Sequence, residues 1–486
     1  IRMSTYNPPT LLQLALEGVV RKDSIDFSNL EDLPITLFPP LFIKAFNSRH
    51  TEIIKKMVAT WPFPCLPVGA LLKTAGVEML QAVLNGIDIL LTQNVSLRRR
   101  KLQVVDLRDL HHDFWDVWTG KNNGIHSAEK GRKEQISKRI PKYALRRRLK
   151  VVTDLSLFFS LNKDQTCFLQ WAQQRNEYVR LCCLKMNIIA FPVEIIKWIL
   201  NIFHPNYIEE LEIHTNQVLS FLSCFAPCFG QMRNLLRFHL CQMYLMSGSG
   251  VYRFAEVKKG AAKFLSQFSK LKCLQHLSMN GDYFSRDHMK HLFRCLKSPL
   301  ESLSMNRCQL SKSDFKHMSD CQRLYQLKHL QFHGVEFPKS GFKSLQILLK
   351  NVSETLQTLK FEHCKMNDSQ LKVLLPALSQ CSQLTMVNFC DNDFSNLVLK
   401  DLLKCMANLS KLCVEQYPAP LECYDHRRNV VVEEFVQLCS DLMDILIAKR
   451  QPKTIIFATD TCSHCLRRCI YGRKTSLCLC WQQREV

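Results

Sequence analysis

The chain has 486 residues, a formal net charge of +22 and a hydrophobic content of 47%. This composition excludes a disordered chain and leaves room for more than one domain's worth of core. The sequence has neither an apolar run that could span a bilayer nor a secretory signal, and we expect no membrane association. With 23 cysteines and no such signal, a reducing compartment is favoured, cytoplasmic or nuclear.

Residues 1–97 have helical periodicity and contain no repeat, which predicts a helical N-terminal region. Residues 98–174 begin with a single strand-like pattern, Leu102-Val105-Leu107, followed by a basic insertion. Between residues 120 and 150 the chain has eleven Lys or Arg against two Glu. Arg146, Arg147 and Arg148 are typical of a nuclear localisation signal, and a solvated linker is the alternative.

The third predicted region, residues 175–450, contains a repeat of leucine, two residues, an apolar residue, one residue and an apolar residue. Its period of about 25–30 residues is that of a leucine-rich repeat. The clearest copies are Leu300-Leu303-Met305, Leu327-Leu330-Phe332, Leu356-Leu359-Phe361 and Leu384-Val387-Phe389. Weaker copies begin at Tyr178, Ile208, Leu235, Leu274 and Leu409.

Helical patterns between these motifs, as in residues 342–350 and 371–378, make each repeat a strand followed by a helix. This predicts an α/β leucine-rich-repeat solenoid, a horseshoe of the ribonuclease-inhibitor type, with one parallel sheet on the concave side. The ninth position of the motif holds Cys308, Cys364 or Asn392, which can hydrogen-bond backbone groups where the strand ends. Residues 430–450 are predicted to form a capping helix.

The residues between the motif's apolar positions predict a mixed, polar concave face that binds a protein target. Those we expect to contact it are His276, Ser302, His329, Gln331, Lys360 and Asn388. His329 and His333 cannot share a metal ion, because four strand residues separate their backbones by about 13 Å.

The last region, residues 451–486, is predicted to hold a final strand at 453–457 and a cysteine cluster. Cys462-x-x-Cys465 and Cys478-x-Cys480 are two close pairs separated by a loop, as in four-thiolate zinc sites. A short tail with little core would gain stability from such a metal. Free thiols or a disulfide are the alternatives, and no cofactor is needed for function.

Catalytic motifs are missing from the sequence. It contains no Gly-rich phosphate loop, no Gly-x-Ser-x-Gly elbow and no His-Glu-x-x-His helix. We therefore expect a non-catalytic receptor or adaptor.

Seven segments, at residues 33–50, 57–73, 80–95, 101–120, 179–186, 375–385 and 417–424, resemble the PRAME family in order and in rare residues. The resemblance covers essentially the whole chain and extends to the family's germline-expressed, oogenesin-type rodent branch. It implies a substrate receptor of a cullin-2 ubiquitin ligase with elongin B, elongin C and a RING subunit, promoting proteasomal degradation of a bound protein. It also implies repression of transcription, differentiation and apoptosis and support of proliferation, through nuclear-receptor or chromatin partners.

The resemblance places an elongin-C-binding helix at Thr10, Leu11, Ala15 and Val19, which share one face at helical spacing. Ala15 stands where the motif often has cysteine. Thr10 can cap the helix and Leu11 can enter a pocket of the partner. The alternative is an amphipathic helix that packs within its own domain.

The cullin-binding pattern falls on Leu33, Pro34, Leu37 and Leu41. Pro39 and Pro40 predict two short helices with a break between them. The segment also resembles an F-box opening, which would imply a different cullin, and it could simply pack the N-terminal helices.

Two other functions stay open beside the ligase receptor. One is a transcriptional co-regulator or scaffold without a ligase role. The other is a polyanion-binding protein driven by the positive charge. The mixed concave face argues against direct nucleic-acid binding, because the excess charge lies in the basic insertion.

Overall fold

The computed structural model describes residues 14, 16–18, 33–92, 101–119, 148–215, 218–242, 254–281, 284, 287–338, 340–450, 453–462, 464–478 and 480. They form two compact units, one of residues up to 186 with 194–208, the other of residues 187–193 with 209–486. In these ranges, none of the helices is both long and apolar enough to cross a membrane. The four-region division made from the sequence remains a prediction.

The first unit combines helices with strands of two to ten residues. Its helices are α1 (Phe38–Asn47), α2 (Thr51–Ala59), α3 (Gly69–Leu72), α4 (Val77–Thr92), α5 (His112–Thr119), α6 (Lys163–Arg175) and most of α7 (Val193–Ile202). Its strands are β1 (Cys65–Leu66), β2 (Val104–Asp106), β3 (Lys150–Phe158) and most of β4 (Arg180–Ile189). Strands β1, β2 and β3 pair in parallel, so the strand predicted near Leu102 has neighbours that the repeat motif did not find.

An aromatic cluster forms much of this unit's core. The Phe42 ring lies 5.6 Å from that of Trp115 and 5.2 Å from that of Trp61. Both indoles also donate hydrogen bonds, Trp115 Nε1 to the Pro67 carbonyl at 2.7 Å and Trp61 Nε1 to the Cys65 carbonyl at 3.0 Å. Their polar atoms are satisfied, so the rings can be buried at little cost.

The predicted break at Pro39 and Pro40 is wrong. A 3₁₀ turn, Ile35–Leu37, leads directly into α1, and both prolines lie in the first turn of that helix. Proline is tolerated there because the first N–H groups of a helix have no partner within it.

The second unit is a series of strand–helix repeats. Its strands are β5 (Glu210–Thr215), β6 (Arg237–Gln242), β7 (His276–Asn280), β8 (Ser302–Asn306), β9 (His329–His333), β10 (Thr358–Glu362), β11 (Met386–Asn388), β12 (Val414–Pro418), β13 (Thr454–Ala458) and β14 (Ile470–Gly472). Its helices are α8 (Val218–Phe229), α9 (Phe254–Ser266), α10 (Met289–Cys295), α11 (Lys312–Asp320), α12 (Gly341–Asn351), α13 (Asp368–Leu378), α14 (Asn396–Met406) and α15 (Val432–Ile447).

Strands β5 to β13 pair in parallel in chain order, and β14 pairs antiparallel with β13. This is the predicted α/β leucine-rich-repeat solenoid. The motif leucines are in register, with Leu303 opposite Leu330 and Leu330 opposite Leu359, and all three are fully buried. Stacking of neighbouring repeats therefore builds the core.

A line of aromatic rings in contact runs through this core. Neighbouring ring centroids lie 5.6 to 6.3 Å apart from Phe332 through Phe361, Phe389 and Tyr417 to Phe457. Each ring comes from the same motif position of a successive strand. One repeat thus supplies the packing partner for the next, as expected of a one-dimensional array.

Carboxylate side chains join successive helices by accepting hydrogen bonds from residues at the N-terminus of the neighbouring helix. Asp314, fully buried in α11, accepts hydrogen bonds from the backbone N–H groups of Asp287 at 2.9 Å and Lys290 at 2.7 Å, ahead of and within α10. The half-buried Asp368 of α13 accepts hydrogen bonds from the backbone N–H and the hydroxyl of Ser395, the N-cap of α14, at 2.9 and 2.6 Å. These contacts satisfy free donors at helix N-termini and fix the spacing between repeats.

The predicted motif beginning at Leu409 is out of register with the strand that the structure forms there. Val414 pairs with Met386, so the equivalent positions in this repeat are Leu412, Glu415 and Tyr417. A fully buried glutamate therefore occupies a leucine position. It accepts hydrogen bonds from Tyr417 Oη at 2.8 Å and Arg450 Nη2 at 2.7 Å, and a search for apolar residues cannot find such a strand.

The ninth motif position hydrogen-bonds backbone groups as predicted. Asn392 Nδ2 donates to the carbonyls of Phe361 at 2.6 Å and Phe389 at 2.9 Å, and its Oδ1 accepts from the Met366 N–H at 2.9 Å. The thiols of Cys308 and Cys364 donate to carbonyls of the preceding strand at longer distances. The position links each repeat to the one before it.

Candidate functional site

The candidate binding surface of the second unit is the set of side chains between the buried motif positions of β6–β11, here called the open face. Its residues are in register from strand to strand and form two rows. The first row is Arg237, His276, Ser302, His329, Thr358 and Met386, and the second is His239, Ser278, Ser304, Gln331, Lys360 and Asn388. Neighbours in a row are one strand spacing apart, about 4.8 Å.

The histidines of this surface are held neutral. Burial lowers the pKa of His276, and the positive charge of Arg237 acts in the same direction. Burial and Lys328 lower the pKa of His329 likewise. A neutral imidazole offers one donor and one acceptor, so this part of the open face can bind polar groups of either kind.

The structure brings the predicted target-binding residues onto the open face. His276, Ser302, His329, Gln331 and Lys360 are all half-buried. Asn388 is only 6% exposed, and its Oδ1 accepts a hydrogen bond from the Cys390 N–H at 2.9 Å. This hydrogen bond holds the Asn388 side chain against the end of its own strand.

A second polar group, which the sequence analysis missed, lies where β5 and β6 pair. Ligand atoms of Glu212, His239 and Cys241 lie within 4.8 Å of one another, a grouping that could hold a transition metal. Burial raises the pKa of Cys241 to about 11, which opposes the thiolate form that a metal needs. The sequence could have indicated this group only through the strand register, because the three residues occupy alternate positions of two adjacent strands.

The predicted elongin-C-binding residues Thr10, Leu11, Ala15 and Val19 lie outside the described residues. Close by in the chain, the Glu17 carboxylate pairs with Lys44 Nζ of α1 at 3.3 Å. In the basic insertion Arg146 and Arg147 are also outside the described ranges, and Arg148 is exposed.

The predicted cullin-binding residues differ in their accessibility. Pro34 is exposed, and Leu33 and Leu37 are half-buried. Leu41 is only 2% exposed and belongs to the core of the first unit. Ile35, which the motif did not include, is 49% exposed beside Pro34.

The four C-terminal cysteines of the predicted zinc site come together. The sulfur atoms of Cys462, Cys465, Cys478 and Cys480 all lie within 4.8 Å of one another. A hydrogen bond from the Arg467 backbone N–H lowers the pKa of Cys465 to about 6, whereas the Cys465 sulfur raises the pKa of Cys480 to about 11.

Strand–helix repeats in register with a polar open face define a leucine-rich-repeat solenoid. The chain matches the PRAME N-terminal domain over residues 8–115 and the PRAME C-terminal domain over residues 149–480. It is 40% identical to PRAME family member 12 of Homo sapiens, with 98% of each chain covered. It is 38% identical to Oogenesin-3 of Mus musculus, covering 97% of this chain and 94% of the other. The chain belongs to the PRAME family.

Among solved structures, the complex of Rad7 and Elc1 in yeast matches with a TM-score of 0.42 and 13% identity, covering 84% of this chain and 93% of that one. The leucine-rich-repeat protein LegL7 from Legionella pneumophila matches with a TM-score of 0.29 and 11% identity, covering 62% and 98%.

Proposed function

We propose that this protein is the substrate-recognition receptor of a cullin-2 ubiquitin ligase that contains elongin B and elongin C. The second unit holds the target protein and the N-terminal region docks the ligase. In this role the chain brings the target close to the ubiquitin-transferring partners, which perform the chemistry.

The observation that carries target binding is the open face. Two rows of mostly polar side chains cross six strands, and a rigid stack of buried leucines and phenylalanines holds them in fixed register. Such a surface is broad enough for a protein and has little conformational freedom to lose on binding. The neutral histidines and Lys360 favour a target surface with polar and acidic groups.

Ligase docking is supported by family membership together with the accessible segment Leu33–Leu37. This segment presents Pro34 and Ile35 to solvent ahead of α1. Because Leu41 is buried, we assign cullin contact to the segment before α1 and a packing role to Leu41. The proposed elongin-binding helix precedes this segment in the chain.

The test is co-purification of the full chain with elongins B and C and cullin-2. We expect wild type to retain all three partners and the Leu11→Ser, Ala15→Phe double variant to lose them. Leu14→Ser is the matched control, because Leu14 is 49% exposed and lies outside the motif. If wild type retains none of the partners, the ligase role is rejected and a scaffold or co-regulator role replaces it.

A further inference from the structure

The strongest feature that the proposed function does not use is the cysteine quartet of the tail. A zinc ion with four thiolates has Zn–S distances of about 2.3 Å, which places the sulfurs about 3.8 Å apart in a tetrahedron. Here all four sulfurs lie within 4.8 Å of one another, and Cys462 Sγ and Cys480 Sγ are 3.9 Å apart. Small side-chain rotations would complete the tetrahedron.

The backbone around the first cysteine pair is shaped as a metal-binding turn. Leu466 donates its N–H to the Cys462 carbonyl at 2.9 Å and has a left-handed backbone, φ +56°. The N–H groups of Arg467 and Cys480 face the Cys465 sulfur, as donors to a thiolate should. Leu466 is 78% exposed, so packing of its side chain does not compensate for this unfavourable backbone.

The two cysteine pairs bracket the last strand. Cys462 and Cys465 precede β14, and Cys478 and Cys480 follow it. Between them Ile470 and Ser476 exchange backbone hydrogen bonds at 2.7 and 2.9 Å. A metal bound to both pairs would close the chain around β14 and hold it against β13.

The tail has little else to hold it. Among its described residues after Thr459, only Cys469 and Cys478 are buried apolar side chains. Among its polar contacts with the repeats, the guanidinium of Arg468 binds both oxygens of Asp391, after β11, at 2.6 and 2.8 Å. A segment with so small a core is where a bound metal contributes most to folding.

We propose that Cys462, Cys465, Cys478 and Cys480 bind one structural Zn²⁺ through four thiolates, and that this ion fixes the tail to the last repeat. Binding releases the thiol protons to solvent, and no redox step is involved. Arg467, Arg473 and Lys474 carry positive charge that offsets the net negative charge of the zinc–thiolate centre.

The test measures metal in the full chain purified under reducing conditions without chelator. We expect one zinc per chain and an X-ray absorption spectrum of four sulfur ligands at about 2.3 Å. The Cys465→Ser, Cys480→Ser double variant should lose the zinc. Cys224→Ser is the matched control, because Cys224 is an exposed free cysteine outside the quartet.

A second measurement keeps the test decisive if the double variant fails to fold. Wild-type protein in which Co²⁺ replaces the zinc should have the absorption bands of a tetrahedral, thiolate-ligated cobalt ion. Substoichiometric zinc in wild type, with no zinc or cobalt uptake on addition, would overturn the proposal. So would a disulfide among the four cysteines in the freshly prepared protein.

Discussion

At the scale of single residues, buried polar side chains connect the repeats. Asn392 contacts the backbone of three segments, and Glu415 shares a buried site with Tyr417 and Arg450. Each of these groups would be costly if left without partners. A substitution that removes one member of such a hydrogen-bonded group should therefore cost more stability than one that replaces the member or removes both.

Asn392→Ala should lower the free energy of unfolding by about 1–3 kcal/mol, because buried backbone groups lose their partner. Asn392→Cys should cost less, since Cys308 and Cys364 donate to carbonyls from the same motif position. The measurement is the urea midpoint of the two variants and wild type. Equal losses for both substitutions would contradict the backbone-bonding role.

Arg450→Met should cost about 3–5 kcal/mol, because it leaves the Glu415 carboxylate buried without its cation. A Glu415→Leu, Arg450→Met double variant should recover much of that loss. If the single variant is no less stable than the double variant, the pair does not form.

The loss in Arg450→Met should also depend on pH. Burial raises the pKa of Glu415 in the folded protein above its unfolded value, so the folded state holds the proton more tightly. Stability of the variant should therefore rise as the pH falls from 7.5 towards 5, while the carboxyl becomes protonated. Thermal unfolding of the variant and wild type across this range measures the difference, and parallel pH profiles would argue against it.

At the scale of elements, α1 and the segment before it have different roles, since Leu41 of α1 packs in the core and Pro34 is proposed to contact the cullin. Leu41→Ala should destabilise the first unit by about 2–5 kcal/mol, as expected for a buried leucine. Pro34→Ala should leave the melting temperature near that of wild type and weaken retention of cullin-2 while elongins stay bound. Ile89→Ala serves as the control and should retain cullin-2, because Ile89 is an exposed apolar residue of α4 outside the docking segment. Retention of cullin-2 by Pro34→Ala would remove this segment from the docking surface.

The elements themselves were predictable where burial follows a local pattern. Strands β6 to β11 lie where the leucine motif places them, because the motif reports which side chains face the core. The motif failed at β12, where the buried Glu415 replaces an apolar residue. It also missed β14, a three-residue strand whose pairing with β13 depends on contacts distant in sequence.

The candidate sites divide in the same way. The open-face residues follow from strand alternation, and the cysteine quartet from close spacing in the chain. The group of Glu212, His239 and Cys241 could not be found from spacing alone, since it joins adjacent strands about 27 residues apart.

At the scale of the whole molecule, the charge of +22 is unevenly distributed. Residues 121–147 hold nine Lys or Arg against two Glu. Replacing them with an uncharged linker of equal length should weaken binding to random duplex DNA, flatten its salt dependence and reduce nuclear accumulation. Elongin and cullin retention should not change. Unaltered DNA binding would locate a polyanion site on the repeats instead.

The antiparallel pairing of β14 has a consequence for how copies of this protein behave at high concentration. An array of parallel strands leaves one row of free N–H and C=O groups at its end, a template for joining to another chain. Here β13, which contains the apolar run Ile455–Ala458, would carry that row of free groups. The short antiparallel strand β14 pairs with it. A chain cut before Cys462 would expose the whole of β13 and should polymerise strand to strand, whereas in the intact chain the edge is the three-residue strand β14, which is too short to pair extensively.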